Sequence, residues 1–383
     1  MQNDPEPQSH IKLLISGGHL SPAIAVIEVL RKSSCWDITF MARKYGHEET
    51  RTPASEIREI PKLGVPIITI PAGKIPRSLS FSSLLPILRI PLGFVVAFWH
   101  IWRLQPDIIL SFGGYVAVPA AVSGWLLGIP IVTHEQTIKK GLANTLVELL
   151  ANEIAISWED TRKYFRKKVV LTGNPLREAI IKGKTKSLPI QLNKQPLVYV
   201  TGGNLGSKKI NLVIKSELIH LVRKYCIIHQ CGYRTGNGDF HTLLKARGEM
   251  PQELKNRYLI REWLDTEEVS WALNHADLVI SRAGANIITE LAYTGRVAIL
   301  IPFQYAGGNE QLENAKFLTN IGTTEIIHEK NLTGKLLRKK IALMLKNINR
   351  YKVHASQARK LIKIDAAQRI ETLLKTIYEK KKY

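Results

Sequence analysis

The sequence predicts an α/β protein of two doubly wound domains, and three features carry that expectation. At 383 residues the chain exceeds what one ordinary core organises and fits two domains of roughly 150 to 190 residues each. Short apolar runs of strand length alternate with helix-like patterns along most of it, the rhythm of a parallel sheet covered on both faces. That rhythm pauses at the polar, basic, turn-rich IKGKTKSLPIQLNKQP and then restarts. Domains are therefore expected over 11–180 and 197–360, with a linker at 181–196 and a basic helix or tail at 361–383.

The first domain's strands are expected at Ile11–Ile15, Trp36–Met41, Ile67–Ile70, Asp107–Ser111, Ile129–Thr133, Glu153–Ser157 and Lys168–Leu171. After the linker, LVYVTGG, YCIIHQCG, RYLIREW, ADLVISRAG and VAILIPF supply five more. The uncharged run Ile108–Thr133 is long enough to span a bilayer. Gly113, Gly114, Pro119, Gly124, Gly128 and Pro130 divide it instead into strand, turn, short buried helix and strand, so it reads as core. The stretch Phe81–Asp107 differs, because Leu, Ile, Phe and Trp are mixed there with Arg89, Arg103 and prolines. With Lys74 and Arg77 ahead of it, the 74–103 segment reads as lying in an anionic membrane interface, the alternative being an ordinary core helix. The opening MQNDPEPQSH lacks the apolar centre of a signal peptide.

With 45% hydrophobic residues the chain is globular. Cys35, Cys226 and Cys231 are an odd set without metal-type spacing, which points to a reducing compartment and no zinc site. A formal charge of +22 implies attraction to a polyanion, nucleic acid or an anionic membrane, or else basic helix faces turned to solvent late in the chain.

The glycine turns carry the chemistry. Two doubly wound domains would place the carboxyl ends of both sheets at a shared cleft, where ligands bind. LLISGGHLSPAIAV ends an apolar run in Gly17 and Gly18, follows with a histidine and opens a helix at Ser21 and Pro22. VTGGNLGSKKINLVI is a strand, a glycine turn and a helix start, whose free N–H groups and dipole favour a phosphate. No G-x-G-x-x-G, no G-x-x-x-x-G-K-[ST] and no Asp-x-Asp occurs. A dinucleotide oxidoreductase, a P-loop ATPase and a metal-held nucleotide diphosphate all lose support. In SRAGANIITELA, Gly284 follows a strand and Glu290 lies along the next helix, where a carboxylate can accept both hydrogen bonds of a ribose diol; taken alone, such a Glu is more often a solvated charge.

Together, SGGHLSPAIAV, PDIILSFGGYVAVPAAVSGWLLGIPIVTHEQ, GLAN, TGNPLR, TGGNLGS, SRAGANIITELA and IPFQYAGGNEQLENA stand in the order and spacing of the MurG family, glycosyltransferase family 28. The chain resembles that family from about Ile11 to beyond Ala315. The resemblance implies a GT-B fold and inverting transfer of N-acetylglucosamine from UDP-N-acetylglucosamine to the muramoyl C4 hydroxyl of lipid I, giving lipid II for peptidoglycan. It also implies no metal and no cofactor beyond the donor substrate, no nucleic acid, peripheral attachment to the cytoplasmic face of the plasma membrane, and cell-wall synthesis proteins as partners. On the donor side it implies Ser16, Arg177, Asn204, the backbone around Leu264 at the uracil, Ala285, Asn286 and Thr289 by the diphosphate, Glu290 at the ribose and Gln311 at the sugar. On the acceptor side it implies Gly17, Gly18, Gly113, Gly114, Tyr115, Gln136, Thr137 and Asn144.

His19 is then the expected general base. The acceptor hydroxyl must lose its proton as it attacks the anomeric carbon, which calls for a group neutral near pH 7, and a helix N-terminus disfavours imidazolium. Glu135 in THEQ is the second candidate, ranked below as a residue that orients the acceptor or structures its loop. Some positions depart from the family pattern: the loop before His19 is short, and Thr137, Asn204 and Glu310 stand where Asn, Ser and Gln or His are common. The competing functions are a GT-B transferase for another lipid acceptor, a UDP-sugar epimerase, and a basic nucleic-acid-binding protein, the last lacking any RNP-like, zinc or helix-turn-helix signature.

Overall fold

The computed structural model describes residues 10–47, 52–71, 84–192, 194–232, 238–304 and 309–382. The chain divides into two compact units. The first comprises Met1–His47, Pro53–Pro175 and Ile364–Tyr383; the second comprises Glu48–Thr52 and Leu176–Lys363.

In the first unit, strands β1 (Ile11–Ser16), β2 (Trp36–Arg43), β3 (Ile67–Ile70), β4 (Ile108–Ser111), β5 (Ile131–Glu135), β6 (Glu153–Ile156) and β7 (Val169–Leu171) form one parallel sheet. Its order is β3-β2-β1-β4-β5-β6-β7. The connecting helices are α1 (Leu20–Leu30), α2 (Leu84–Leu104), α3 (Ala117–Leu126) and α4 (Leu142–Leu150). Strands such as IILS are buried at every position, because helices on both faces leave no side exposed to water. The run Ile108–Thr133 is core, as read: Ile109, Ile131, Ala117, Ala120 and Ala121 pack together at its centre.

β5 starts two residues later than expected. Pro130 has no N–H to donate, and its carbonyl instead accepts from Ile109 N at 2.9 Å, so the ladder begins at Ile131 and carries Glu135 into the strand.

The second unit repeats the plan with β8 (Leu197–Thr201), β9 (Cys226–Gln230), β10 (Tyr258–Arg261), β11 (Leu278–Ser281), β12 (Ala298–Leu300) and β13 (Thr324–Ile326). Their order is β10-β9-β8-β11-β12-β13, all parallel. Helices α5 (Lys208–Ser216), α6 (Asp239–Gly248), α7 (Thr266–His275), α8 (Ala285–Thr294), α9 (Glu310–Ile321) and α10 (Gly334–Lys346) complete it. β13 is absent from the sequence expectation because three residues at a sheet edge, two of them half-buried, carry too little pattern.

Two boundaries lie elsewhere than the sequence predicts. A short helix, Glu178–Lys182, packs on α7, and Ser270 Oγ donates to Ala179 O at 3.1 Å, so residues from Leu176 onward belong to the second unit. The expected linker is held there as well: Leu188 is buried and Gln191 O accepts from Cys226 Sγ. At the other end, α11 (Ala366–Lys382) is no separate tail. It returns to the first unit, packs on α1 and β4, buries Ile370 and Leu374 completely, and accepts on Glu371 from Trp36 Nε1 at 3.4 Å.

Helix α11 therefore completes the first unit's core. Leu374→Ala should destabilise that unit by about 2 to 4 kcal/mol through the cavity it opens. Denaturant unfolding would measure this; an unchanged midpoint would mean that α11 rests on the unit without supporting it.

Candidate active site

Each sheet reverses its strand order between its first and fourth strands, and in parallel sheets ligands bind at the carboxyl ends beside such a reversal. In the first unit that point lies between β1 and β4. The chain leaves them through Gly17-Gly18 and Gly113-Gly114, and the two turns pack backbone to backbone. Gly18 N donates to Gly113 O at 3.2 Å and Phe112 N to Ser16 O at 2.7 Å. A Cβ on Gly17 would stand 2.9 Å from Phe112 Cβ, and one on Gly114 would stand 3.0 Å from Gly18 N. Gly113 and Gly114 also hold φ of 74° and 79°, values that disfavour any side chain. Tyr115 follows, exposed, and Ser16 Oγ is buried beneath the turn without a hydrogen-bond partner.

His19 is the N-cap of α1, half-buried, and its side chain makes no capping hydrogen bond. Burial lowers its pKa, the charge of Glu135 raises it, and Arg43 lowers it further, the net shift being downward. The imidazole is thus held neutral at the end of a helix whose dipole acts in the same sense.

Glu135, buried at the end of β5, has both carboxylate oxygens engaged. Oε1 accepts from Thr137 N at 3.0 Å and Thr137 Oγ1 at 2.7 Å; Oε2 accepts from Gly141 N at 2.8 Å and Asn144 Nδ2 at 2.9 Å. Asn144 also accepts from Thr133 Oγ1 at 2.8 Å and donates to His134 O, beneath Gly113. Gln136 is buried and donates to His134 Nδ1 at 3.1 Å. Gln136, Thr137 and Asn144, expected as acceptor contacts, thus spend their side chains inside the unit, building the loop that carries the turn.

His134 is a residue that the sequence reading missed. Fully buried, it donates from Nε2 to Gly173 O at 2.9 Å and accepts at Nδ1 from Gln136, which fixes the neutral tautomer and ties the β5 loop to the TGNP loop. Burial is the main cause of its pKa of about 4. Nothing in HEQ signals this, since the partner carbonyl lies 39 residues away.

In the second unit the reversal lies between β8 and β11. The turn after β8 holds Gly203 and Gly206 at φ 80° and 71°, exposes Asn204, and leads into α5 through the Ser207 cap. A Cβ on Gly206 would stand 2.0 Å from Cys231 O, so the turn and the β9 end tolerate nothing larger than hydrogen there. The turn after β11 leads into α8 at Ala285, and its N-cap, Gly284, offers no side chain to the helix's first N–H groups. Thr289 Oγ1 bonds back to Ala285 O at 2.9 Å, and Asn286 is half-buried. Leu264 is buried just before the capping box of Asp265 and Glu268 that opens α7. Gln311 Oε1 accepts from Phe303 N at 2.9 Å and so ties α9 to the segment after β12.

Glu290 is not the solvated helix carboxylate that its position alone allows. It is buried and paired with Arg177, Nη2 to Oε1 at 2.9 Å, and Arg177 Nη1 donates to Thr266 Oγ1 at 3.3 Å. Arg177 and Glu290 lie 113 residues apart, so their pairing carries no local sequence signal. Among the described residues no three His, Cys, Asp or Glu side chains converge to hold a metal.

Comparison with known proteins covers the same two halves. The model of the glycosyltransferase family 28 N-terminal domain matches residues 16–156, and that of the C-terminal domain matches residues 197–370. The chain is 31% identical over 370 residues to UDP-N-acetylglucosamine–N-acetylmuramyl-(pentapeptide) pyrophosphoryl-undecaprenol N-acetylglucosamine transferase 2 of Bacillus cereus, covering 95% of this chain and 97% of the relative. It is 31% identical over 323 residues to the transferase of that name from Treponema denticola, covering 82% and 81%. Among solved structures, Acinetobacter baumannii MurG is 25% identical with a TM-score of 0.65, covering 96% of this chain and 99% of that one. A UDP-N-acetylglucosamine 2-epimerase, at 12% identity and TM-score 0.64 over 98% of each chain, shares the fold alone. The GT-B class expected from the sequence is the class found.

Buried neutral histidines make stability depend on acid. His134 titrates at about 4 and His229, bonded in β9 to Tyr258 and Asn211, at about 3, whereas an unfolded chain protonates both near 6.5. Below about pH 6.5 the unfolded state therefore binds protons that the folded state refuses, and stability falls towards pH 4, each group contributing up to roughly 1.4 kcal/mol per pH unit. Thermal midpoints across pH 4 to 8 should fall on the acid side of 6.5, less steeply for His229→Asn; identical slopes would contradict the assignment.

Proposed function

The chain belongs to glycosyltransferase family 28, and on that footing we propose that it transfers N-acetylglucosamine from UDP-N-acetylglucosamine to the muramoyl hydroxyl of lipid I, with inversion, forming lipid II. The observation that carries the catalytic part is His19, uncapped at the mouth of α1 beside two packed glycine turns at a strand-order reversal. A neutral imidazole there takes the proton from the attacking hydroxyl, and the glycine turns meet the acceptor diphosphate through the N–H groups of Gly17 and Gly114, those of Gly18 and Gly113 being bonded to Gly113 O and Ser111 Oγ. Glu135 acts through the loop that it clamps and through its charge on His19, and stays bonded to its four donors. Ser16, beneath the first turn, is read as a further donor contact.

On the donor side the reading uses the free N-terminus of α8 for the diphosphate, with Ala285, Asn286 and Thr289 around it and Asn204 in the facing glycine turn. The α8 dipole and its oriented amides stabilise the departing UDP. Backbone beside Leu264 takes the uracil, Glu290 the ribose and Gln311 the sugar hydroxyls.

Attachment to the membrane is read from the first unit's helices. No described helix is long and apolar enough to cross a bilayer. On α2, Ala97 and Ile101 are buried while Leu92, Val95, Trp99 and Trp102 are exposed. On α4, Asn144 and Glu148 face inward beside Val147, and Leu142, Leu146 and Leu149 are 77%, 53% and 68% exposed. α2 packs on α3, which packs on α4 and exposes Trp125 and Leu126, so these side chains share one face of the unit. Exposed Trp and Leu side chains on three helices packed in series, with Arg103 at the end of α2 and Lys167 bonded to Leu149 O, suit an anionic lipid surface, and cell-wall synthesis proteins are the partners expected there. Lys74 and Arg77 of the 74–103 segment lie outside the described residues.

Labelled N-acetylglucosamine transfer to a short-chain lipid I analogue in EDTA should proceed with the wild type and fall roughly a hundredfold or more in His19→Ala. A wild type that binds UDP yet transfers nothing would leave the donor half standing and refute the acceptor. Leu146→Asp with Leu149→Asp should abolish co-sedimentation with anionic vesicles while leaving UDP binding intact; unchanged sedimentation would remove α4 from the membrane face.

A further inference from the structure

The Arg177–Glu290 pair is underbonded for its burial. The two side chains are only 10% and 6% exposed, a setting in which ionic groups are normally saturated with partners. Glu135, with four donors, and Glu148, with Arg166 N, Lys167 N and the Lys140 ammonium, are saturated in this way. Arg177 is not, a trait it shares with Arg43, Arg257 and Arg296, whose Nε atoms are also buried without an acceptor; Arg177 alone of these four is paired with a carboxylate on the helix read as the donor's. Its Nε is buried without an acceptor, and its two bonds go to Thr266 Oγ1 at 3.3 Å and Glu290 Oε1. Among the described residues the Glu290 carboxylate takes a hydrogen bond on Oε1 alone. Each charge neutralises the other, and each retains capacity for a further group.

Glu290 holds Arg177 on the helix whose free N-terminus is read as the phosphate end. Glu290 is five residues past Ala285, about 7.5 Å along α8 from its free N-terminus at 1.5 Å per residue. A nucleoside diphosphate bound there brings a diol, which donates, and phosphate oxygens, which accept from a guanidinium.

We propose that the Arg177–Glu290 ion pair is a placeholder which the donor opens, the ribose diol taking Glu290 and the phosphate oxygens taking Arg177. This rests on the donor reading above. In the free chain the pair keeps two buried charges neutral. A nucleoside diphosphate replaces both halves at once, whereas a nucleoside takes Glu290 and strands Arg177 without an anion. The site thus selects for phosphate twice, by attracting it and by penalising its absence.

Calorimetric titration of the full-length chain with uridine, UMP and UDP at pH 8 tests this. Arg177→Met should weaken UDP roughly tenfold or more and tighten uridine roughly threefold or more, because Glu290 is no longer competed for. Uridine unchanged or weakened by Arg177→Met would overturn the exchange, since Arg177 would then be a phosphate contact or a support for Glu290 and no more. Should the single variant fail to fold with its carboxylate unpaired, Arg177→Met with Glu290→Gln removes both charges. It should lose most of the wild type's preference for UDP over uridine and keep only the part that the α8 N-terminus supplies, and a preference for UDP as large as the wild type's would overturn the proposal. A wild type that binds none of the three ligands would sink the donor reading itself, a result distinct from either of these.

Discussion

The first unit's site depends on one steric constraint, that two chain turns approach until only hydrogen fits between them. Gly18 bonds to Gly113, and a Cβ on Gly17 or Gly114 would strike Phe112 or Gly18. Two parallel strands that are neighbours in space although their paired residues stand 95 apart in sequence, Ser16 and Ser111 at their ends, can hold their following turns this close only without side chains. The consequence is that the ends of β1 and β4 meet backbone to backbone, with His19 next along the chain from one of them. The second unit repeats the device with different atoms, Gly206 against Cys231 and Gly232.

Charge is handled in two contrasting ways. Glu135 and Glu148 are saturated and so lock the loops around them, giving the first unit a rigid floor beneath the glycine turns. Arg177 and Glu290 are paired but incompletely bonded, which leaves the second unit a polar centre able to exchange partners. Rigid support beneath the proposed base and exchangeable support around the proposed nucleotide suit a reaction in which geometry at the acceptor must be held while donor and product come and go.

The helices of the first unit add a constraint of another kind. α4 turns Asn144 and Glu148 inward beside Val147 and three leucines outward, whereas a soluble protein's surface helix keeps its leucines inside. Asn144 is needed inside, to hold Glu135 and Thr133, so the polar side of α4 is consumed by the site and the apolar side is left outermost. The proposed lipid-facing surface and the proposed active site are thus two sides of the same short helix.

Much of this was legible in the chain. Strand–helix alternation dictated two parallel sheets, since period and length alone decide which segments can be strands covered on both faces. Gly17, Gly18, Gly113, Gly114 and the α8 turn stood out because glycine at a strand end is a local signal of backbone geometry. What tertiary structure alone decided is every relation between distant residues. The return of α11 to the first unit, the His134–Gly173 tie and the Arg177–Glu290 pair each join segments whose local patterns say nothing of each other. Local backbone preference is written residue by residue, whereas the partner of a buried charge is chosen by the packing of the whole unit.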